Sequence, residues 1–148
     1  MRVLLQRVSH AQVSIEGSVC GQIAQGFLAL VGITHTDDLT IVAKMARKTA
    51  ELRVFEDENG KMNRSLMDVQ GSILSISQFT LYADCKRGRR PGFEPAAKPE
   101  LAKPLYEAFN NALKDLEIPV ETGQFGADMQ VSLLNDGPVT ILLDSEEW

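Results

Sequence analysis

The sequence predicts an α+β fold, a single domain over residues 1–148 with a largely antiparallel or mixed sheet and two main helices. Three observations lead there. The β-prone segments come in runs, and only two segments carry helical periodicity, so the regular strand–helix alternation of a doubly wound fold is missing. A chain of 148 residues has the usual length of one domain, and 44% apolar residues suffice for a sizeable core. No internal repeat, low-complexity tract or linker divides it.

Met1 to Ser9, rich in Val and Leu, reads as the first strand. Ala11 to Ile15 alternates, and Glu16-Gly17 then offers a tight turn into Ser18-Val19-Cys20, making a hairpin. Phe27 to Ile33 is a continuous apolar run of strand length, expected to be buried on both faces. Thr36, Asp37 and Asp38 supply N-cap candidates for a helix carrying Leu39, Val42, Ala43, Ala46 and Ala50 and ending near Leu52. Arg53-Val54-Phe55 reads as a short strand, and Glu56 to Lys61, with Asn59-Gly60, as a turn. Ser72 to Tyr82 is expected to form one long strand. A second amphipathic helix places Leu101, Leu105, Ala108, Phe109, Ala112, Leu113 and Leu116 on one face; Pro99 and Pro104 leave its first turns open. Pro119 to Glu121, Met129 to Leu134 and Val139 to Leu143 complete the strands.

A net charge of −5 and a pI near 5.0 argue against clamping a long nucleic-acid duplex, but leave room for recognition of one RNA end by a local basic cluster. Cys20 and Cys85 stand far apart and form no disulfide framework or metal-ligand spacing, as expected of reduced thiols. Charge interrupts Met1 to Arg7, unlike a signal peptide, and no apolar run reaches the ~20 residues of a membrane span. The expectation is a soluble, cytoplasmic protein.

Familiar hydrolytic chemistry finds little support. His10 and His35, the only histidines, sit where loops are expected, and no G-x-S-x-G elbow is present. Asp37-Asp38 reads as helix capping and Glu146-Glu147 as a solvated tail, while Asp144 follows a strand and could line a site. No metal motif, P-loop or dinucleotide fingerprint occurs. Two features stand out. Ser77-Gln78-Phe79-Thr80-Leu81-Tyr82 could present hydroxyls and backbone N–H groups to an oxyanion and Phe79 to a base, or could be plain strand with Phe79 and Leu81 in the core. Asn135-Asp136-Gly137-Pro138-Val139-Thr140 reads on its own as a hairpin turn feeding the last strand. Between them, Lys86, Arg87, Arg89 and Arg90 form a glycine-containing basic loop that fits either phosphates or solvent.

These motifs, with Met1-Arg2-Val3-Leu4-Leu5-Gln6-Arg7-Val8, Gly88-Arg89-Arg90-Pro91-Gly92-Phe93 and Gly123-Gln124-Phe125-Gly126-Ala127-Asp128-Met129, give a chain that resembles the D-aminoacyl-tRNA deacylase family over its whole length. The resemblance implies a homodimer on a β-barrel-like α+β fold, with active sites at the subunit interface. It implies hydrolysis of the ester joining a D-amino acid, or glycine mischarged on a non-cognate tRNA such as an alanine tRNA, to the tRNA 3′ end. No cofactor or metal is implied. Gly137-Pro138 would form the family's cis motif, inserted into the partner's pocket to exclude an L side chain, and Arg7 would brace it. Phe125 and Met129 would line the pocket nearby. Ser77, Gln78, Phe79 and Thr80 would form the opposite wall, their N–H groups facing the ester oxygen and Phe79 the adenine. Nothing in the sequence would activate Thr80 as a nucleophile, and the reading implied is RNA-assisted hydrolysis without a covalent intermediate. The rivals are a non-catalytic binding module for RNA ends or replication that uses the basic loop, and a His-dependent esterase or peptidase.

Overall fold

The structure, a computed structural model covering Met1–Trp148, is organised around its first strand. Strand β1 (Arg2–Ile15) carries three antiparallel partners: β2 (Ser18–Ile23) on its second half, β3 (Gly26–Gly32) on its first half, and β8 (Gln130–Asp144) along its other edge. The sequence suggests a break near Ser9, because the alternation of apolar residues changes phase there. The strand instead runs through. Val3 and Leu5 point into one core, whereas Val8, Ala11 and Val13 point into a second one, and the register against β8 shifts on either side of Val8 to absorb the change.

The Glu16-Gly17 turn is a two-residue hairpin turn with φ of 50° and 80° at its two positions, the left-handed geometry that matches strand twist. β3 is buried on both faces and pairs in parallel with β6 (Ser72–Ser77), which is parallel in turn to β7 (Val120–Thr122). The sheet is therefore mixed. Opposite β7, a Cβ on Gly21 of β2 would lie 2.7 Å from the Thr122 carbonyl oxygen, so only glycine lets these strands come this close. The ring β1–β3–β6–β7–β2 is nearly closed, and Val8, Ala11, Val13, Ile23, Leu28, Leu74 and Ile76 fill it.

Helices α1 (Leu39–Glu51) and α2 (Pro99–Asp115) pack together over the larger core, which includes Phe27, Phe55, Met45, Phe109 and Leu113. Asp38 caps α1 by accepting from the Ile41 N–H at 2.8 Å. Asp37 does not cap the helix; it is buried and accepts from both the Met1 amino group and the Thr34 N–H. α2 begins at Pro99, and Pro104 is tolerated because the carbonyl it leaves free belongs to exposed Glu100 in the first turn. The Arg53–Phe55 strand is displaced to β4 (Phe55–Glu56), which forms a small hairpin with β5 (Met62–Arg64). No helix is long and apolar enough to cross a membrane.

Candidate functional site

The expected strand from Ser72 to Tyr82 is two elements. β6 ends at Ser77, and Gln78 still donates its N–H to the Val31 carbonyl at 2.8 Å. Phe79–Tyr82 then winds into a 3-10 helix, closed by Leu81 N–H to the Gln78 carbonyl at 3.3 Å. Gly32 permits the turn, because a Cβ there would lie 3.1 Å from both the Gln78 oxygen and the Leu81 side chain. The N–H groups of Phe79 and Thr80, at the start of this helix, donate to no protein acceptor, as the first donors of a helix do. Gln78 Nε2 donates to Thr80 Oγ1 at 2.5 Å, so the hydroxyl neighbours an amide that cannot take its proton.

Phe79 is not core. It is 56% exposed and meets Phe93 edge-to-face, with ring centroids 5.0 Å apart. Both rings stand on the wall of a cavity of about 560 Å³ between the sheet and the start of α2. Ser77, Gln78, Phe125 and Met129 line the same cavity, as do Tyr106, Ala97 and Lys98. Tyr106 donates its hydroxyl to the Ser75 carbonyl at 2.7 Å, which anchors α2 to β6 behind the pocket. Burial pushes the Tyr106 hydroxyl above the usual tyrosine range. The lining is largely apolar, and neither His10 nor His35 belongs to it; His35 instead contacts the Glu94 carbonyl at 2.7 Å. The site can hold an apolar group beside free backbone donors, but it offers no imidazole base.

The expected turn at Asn135–Thr140 is not a hairpin turn. β8 continues through it, held by β1 on both sides: Val8 pairs with Asn135 and Gln6 with Thr140. Arg7 alone therefore faces the four residues Asp136 to Val139, which protrude. Asn135 closes the neck of the protrusion, accepting from the Val139 N–H at 3.2 Å and donating to Thr140 Oγ1 at 3.0 Å. The Gly137–Pro138 peptide is cis, and Gly137 has φ of +125°. Arg7, 6% exposed, donates Nε to the Asp136 carbonyl at 3.0 Å and Nη1 to the Val54 carbonyl at 2.7 Å. A Cβ at position 137 would come within 2.8 Å of Arg7 Nη2, so guanidinium and glycine fit one another. Gly137 and Pro138 are exposed and do not line the cavity of their own chain.

The basic loop is pinched at its neck by paired hydrogen bonds between Asp84 and Gly92, at 2.7 and 2.9 Å. Lys86, Arg87 and Arg90 border a separate depression of about 380 Å³ with Asp84 and Glu94; Arg89 does not. Phe93 follows the neck directly, so the loop is joined to the cavity wall. Asp144 lies outside the cavity and pairs with Arg2 at 2.7 Å.

Sequence reasoning passes over Phe93, Tyr106 and Lys98 as site residues. Tyr106 was legible in principle, since Ala102, Leu105, Tyr106, Phe109 and Leu113 are the buried face of α2 at helical spacing.

The profile of the family described as D-Tyr-tRNA(Tyr) deacylase matches residues 4–144. A D-aminoacyl-tRNA deacylase from Exiguobacterium sibiricum is 64% identical, covering 97% of this chain and 99% of that protein. Another from Thermus aquaticus is 60% identical, covering 99% and 97%. Among solved structures, the c-Myc DNA Unwinding Element Binding Protein superposes with a TM-score of 0.92 at 42% identity, covering 98% of this chain and 99% of that one. A probable eukaryotic D-amino acid tRNA deacylase, 15% identical over 96% of this chain and 97% of its own, shares the fold with a TM-score of 0.81. With a family profile and full-length relatives agreeing, the chain belongs to the D-Tyr-tRNA(Tyr) deacylase family.

Proposed function

We propose that this chain hydrolyses the ester between a D-amino acid and the 3′-terminal adenosine of tRNA, and leaves the L-aminoacyl ester intact. The observation that carries the reading is the pair of unengaged N–H groups, Phe79 and Thr80, beside an apolar cavity without a histidine base. Such donors stabilise the oxyanion that forms when water adds to the ester carbonyl. Collapse of that intermediate breaks the bond to the ribose 3′-oxygen, which takes up a proton, leaving free amino acid and tRNA. The 2′-hydroxyl of the same ribose relays that proton, so the protein needs no nucleophile, and the Thr80 hydroxyl, held by the Gln78 amide and outside the cavity lining, takes no part in the chemistry. Phe79 receives the adenine, and Lys86, Arg87, Arg89 and Arg90 receive phosphates of the acceptor end.

The handedness filter in this reading acts across a homodimer. Gly137 and Pro138 protrude into solvent away from their own cavity, and β8 presents an unpaired edge with Leu134 and Leu142 48% and 51% exposed. A second copy covering this face would receive the Gly137-Pro138 protrusion in its cavity, near Phe125 and Met129. Backbone that fills the space of an L side chain excludes that enantiomer and accepts glycine, which has none. Glycine mischarged on an alanine tRNA is thus a second substrate, and the place of action is the cytoplasm, where aminoacyl-tRNA is found.

The test is a paired deacylation assay. D-tyrosyl-tRNA is released and L-tyrosyl-tRNA persists; equal loss of both would sink the reading. A nucleic-acid-binding role without catalysis is the second reading, favoured by the name of the 42% identical structure. It predicts salt-dependent binding with no ester cleavage.

A further inference from the structure

The 3-10 helix that carries the free Phe79 and Thr80 donors is four residues long, and one backbone bond, from the Ala83 N–H to the Thr80 carbonyl at 3.1 Å, closes its far end. Arg2 adds a side-chain clamp to that end. Arg2 Nη1 donates to the Leu81 carbonyl at 2.9 Å, and the guanidinium lies over the Tyr82 ring, 4.6 Å from its centroid. Nε donates to Asp144 Oδ2 at 2.7 Å, and Asp144 is itself fixed by the Glu146 N–H at 3.0 Å. The planar guanidinium thus grips three things at once: the last strand, the helix carbonyl and the helix's terminal ring. Lysine, with a single nitrogen, cannot do this.

The placement bears on the reaction more than on bulk stability. Arg2 is 31% exposed along its side chain and belongs to neither core, whereas Leu81 lies one residue beyond Thr80. At the other end the turn is held by the Gln78 N–H to the Val31 carbonyl at 2.8 Å. The two free donors sit between these anchors. Releasing the Arg2 anchor leaves the far end to the single Ala83–Thr80 backbone bond and the buried Tyr82 ring.

From this geometry we infer that Arg2 is a positioning residue for deacylation: acting through Leu81 and Tyr82, it aims the Phe79 and Thr80 N–H groups at the ester oxygen. The inference rests on the proposal that this turn receives the ester. It also gives β1 two parallel duties, with Arg2 holding the catalytic turn and Arg7 holding the Gly137 protrusion.

The test uses full-length Arg2→Met, Arg2→Lys and Asp144→Asn proteins with D-tyrosyl-tRNA. Misaiming oxyanion donors lowers kcat and leaves ground-state binding largely intact, so Arg2→Met should lose roughly 10- to 100-fold in kcat with KM within about twofold. Arg2→Lys keeps one donor and should recover part of the loss. Asp144→Asn keeps Arg2 but slackens its anchor and should fall between. Amide hydrogen exchange at Leu81 and Ala83, whose N–H groups close the turn on the Gln78 and Thr80 carbonyls, should rise in the same order. A kcat for Arg2→Met within about twofold of wild type would overturn the inference, as would a loss that disappears at temperatures where the variant is fully folded. If Arg2→Met fails to fold, Arg2→Lys and Asp144→Asn decide by the same readings. An inactive wild type would remove the functional proposal instead, which keeps the two failures distinct.

Discussion

Arg7 donates its Nε proton to the Asp136 carbonyl at 3.0 Å, so the residue before Gly137 is pinned from the neighbouring strand. The same side chain also serves the buried Val54 carbonyl at 2.7 Å. Arg7→Ala removes both bonds and leaves the Val54 acceptor in a site from which water is excluded, a cost of about 1–3 kcal/mol. Urea unfolding should show that loss, and D-tyrosyl-tRNA turnover should fall together with selectivity against the L form. Arg7→Lys should be intermediate, because one ammonium cannot span both carbonyls. An Arg7→Ala protein with wild-type stability and selectivity would separate the guanidinium from the protrusion.

Gly137→Ala tests the other side of that fit. The φ of +125° already disfavours any L residue, and the new methyl would meet Arg7 Nη2 at 2.8 Å and Val139 Cγ2 at 2.9 Å. Strain of this kind costs about 1–3 kcal/mol, and most of it should appear as displacement of the guanidinium or the protrusion. Deacylation should drop more than tenfold by this logic, since small displacements at a reacting centre are costly. Unchanged kinetics with D-tyrosyl-tRNA would place the protrusion outside the site.

Phe79→Ala removes an aromatic ring that stands 56% exposed at the cavity wall. Stacking of a base on such a ring is worth about 1–3 kcal/mol, so KM for aminoacyl-tRNA should rise roughly 5- to 150-fold. Thermal stability should barely move, because little apolar area is buried there. A large stability loss with KM unchanged would return Phe79 to a packing role.

Acidification should loosen the Arg2–Asp144 link. Burial of the Asp144 carboxyl pushes its pKa up, but the Arg2 hydrogen bond, the Glu146 N–H and nearby positive charge outweigh it and hold the group below the ordinary aspartate range. A depressed pKa in the folded state means stability that is complete above the unfolded value of 3.8 and lost as pH falls through the lower folded value. Asp57 and Asp68, held down mainly by backbone N–H groups, act in the same direction. Asp144→Asn should therefore flatten the fall of melting temperature with pH below about 4 without abolishing it. An identical slope in the variant and wild type would discount the link.

What the sequence revealed was mostly local. The Glu16-Gly17 turn, the doubly buried β3 and the Asp38 cap of α1 depend on neighbours in the chain, and their residue types announce them. The 3-10 helix at Phe79 does not: Ser72 to Tyr82 is uniformly β-prone, and the chain turns because Gly32, some 50 residues earlier, leaves space for it. Asn135-Asp136-Gly137-Pro138 carries every mark of a hairpin turn, yet β1 bonds both flanks and keeps β8 one strand. Leu101, expected on the buried face of α2, is 37% exposed, while Tyr106 takes a place in the core behind the cavity. Arg2 shows least of all, because its three partners come from the far end of β8 and from the turn after β6.

The pairing of one residue on β1 against four on β8 has a consequence for how this surface can vary. Its height is counted in whole residues between two ladder pairs, not set by the bulk of any side chain. Point substitutions can tilt or soften it, but only an insertion or deletion can lengthen or shorten it. A gauge defined by an integer resists gradual drift, so the depth to which the protrusion reaches stays constant while the residues around it change.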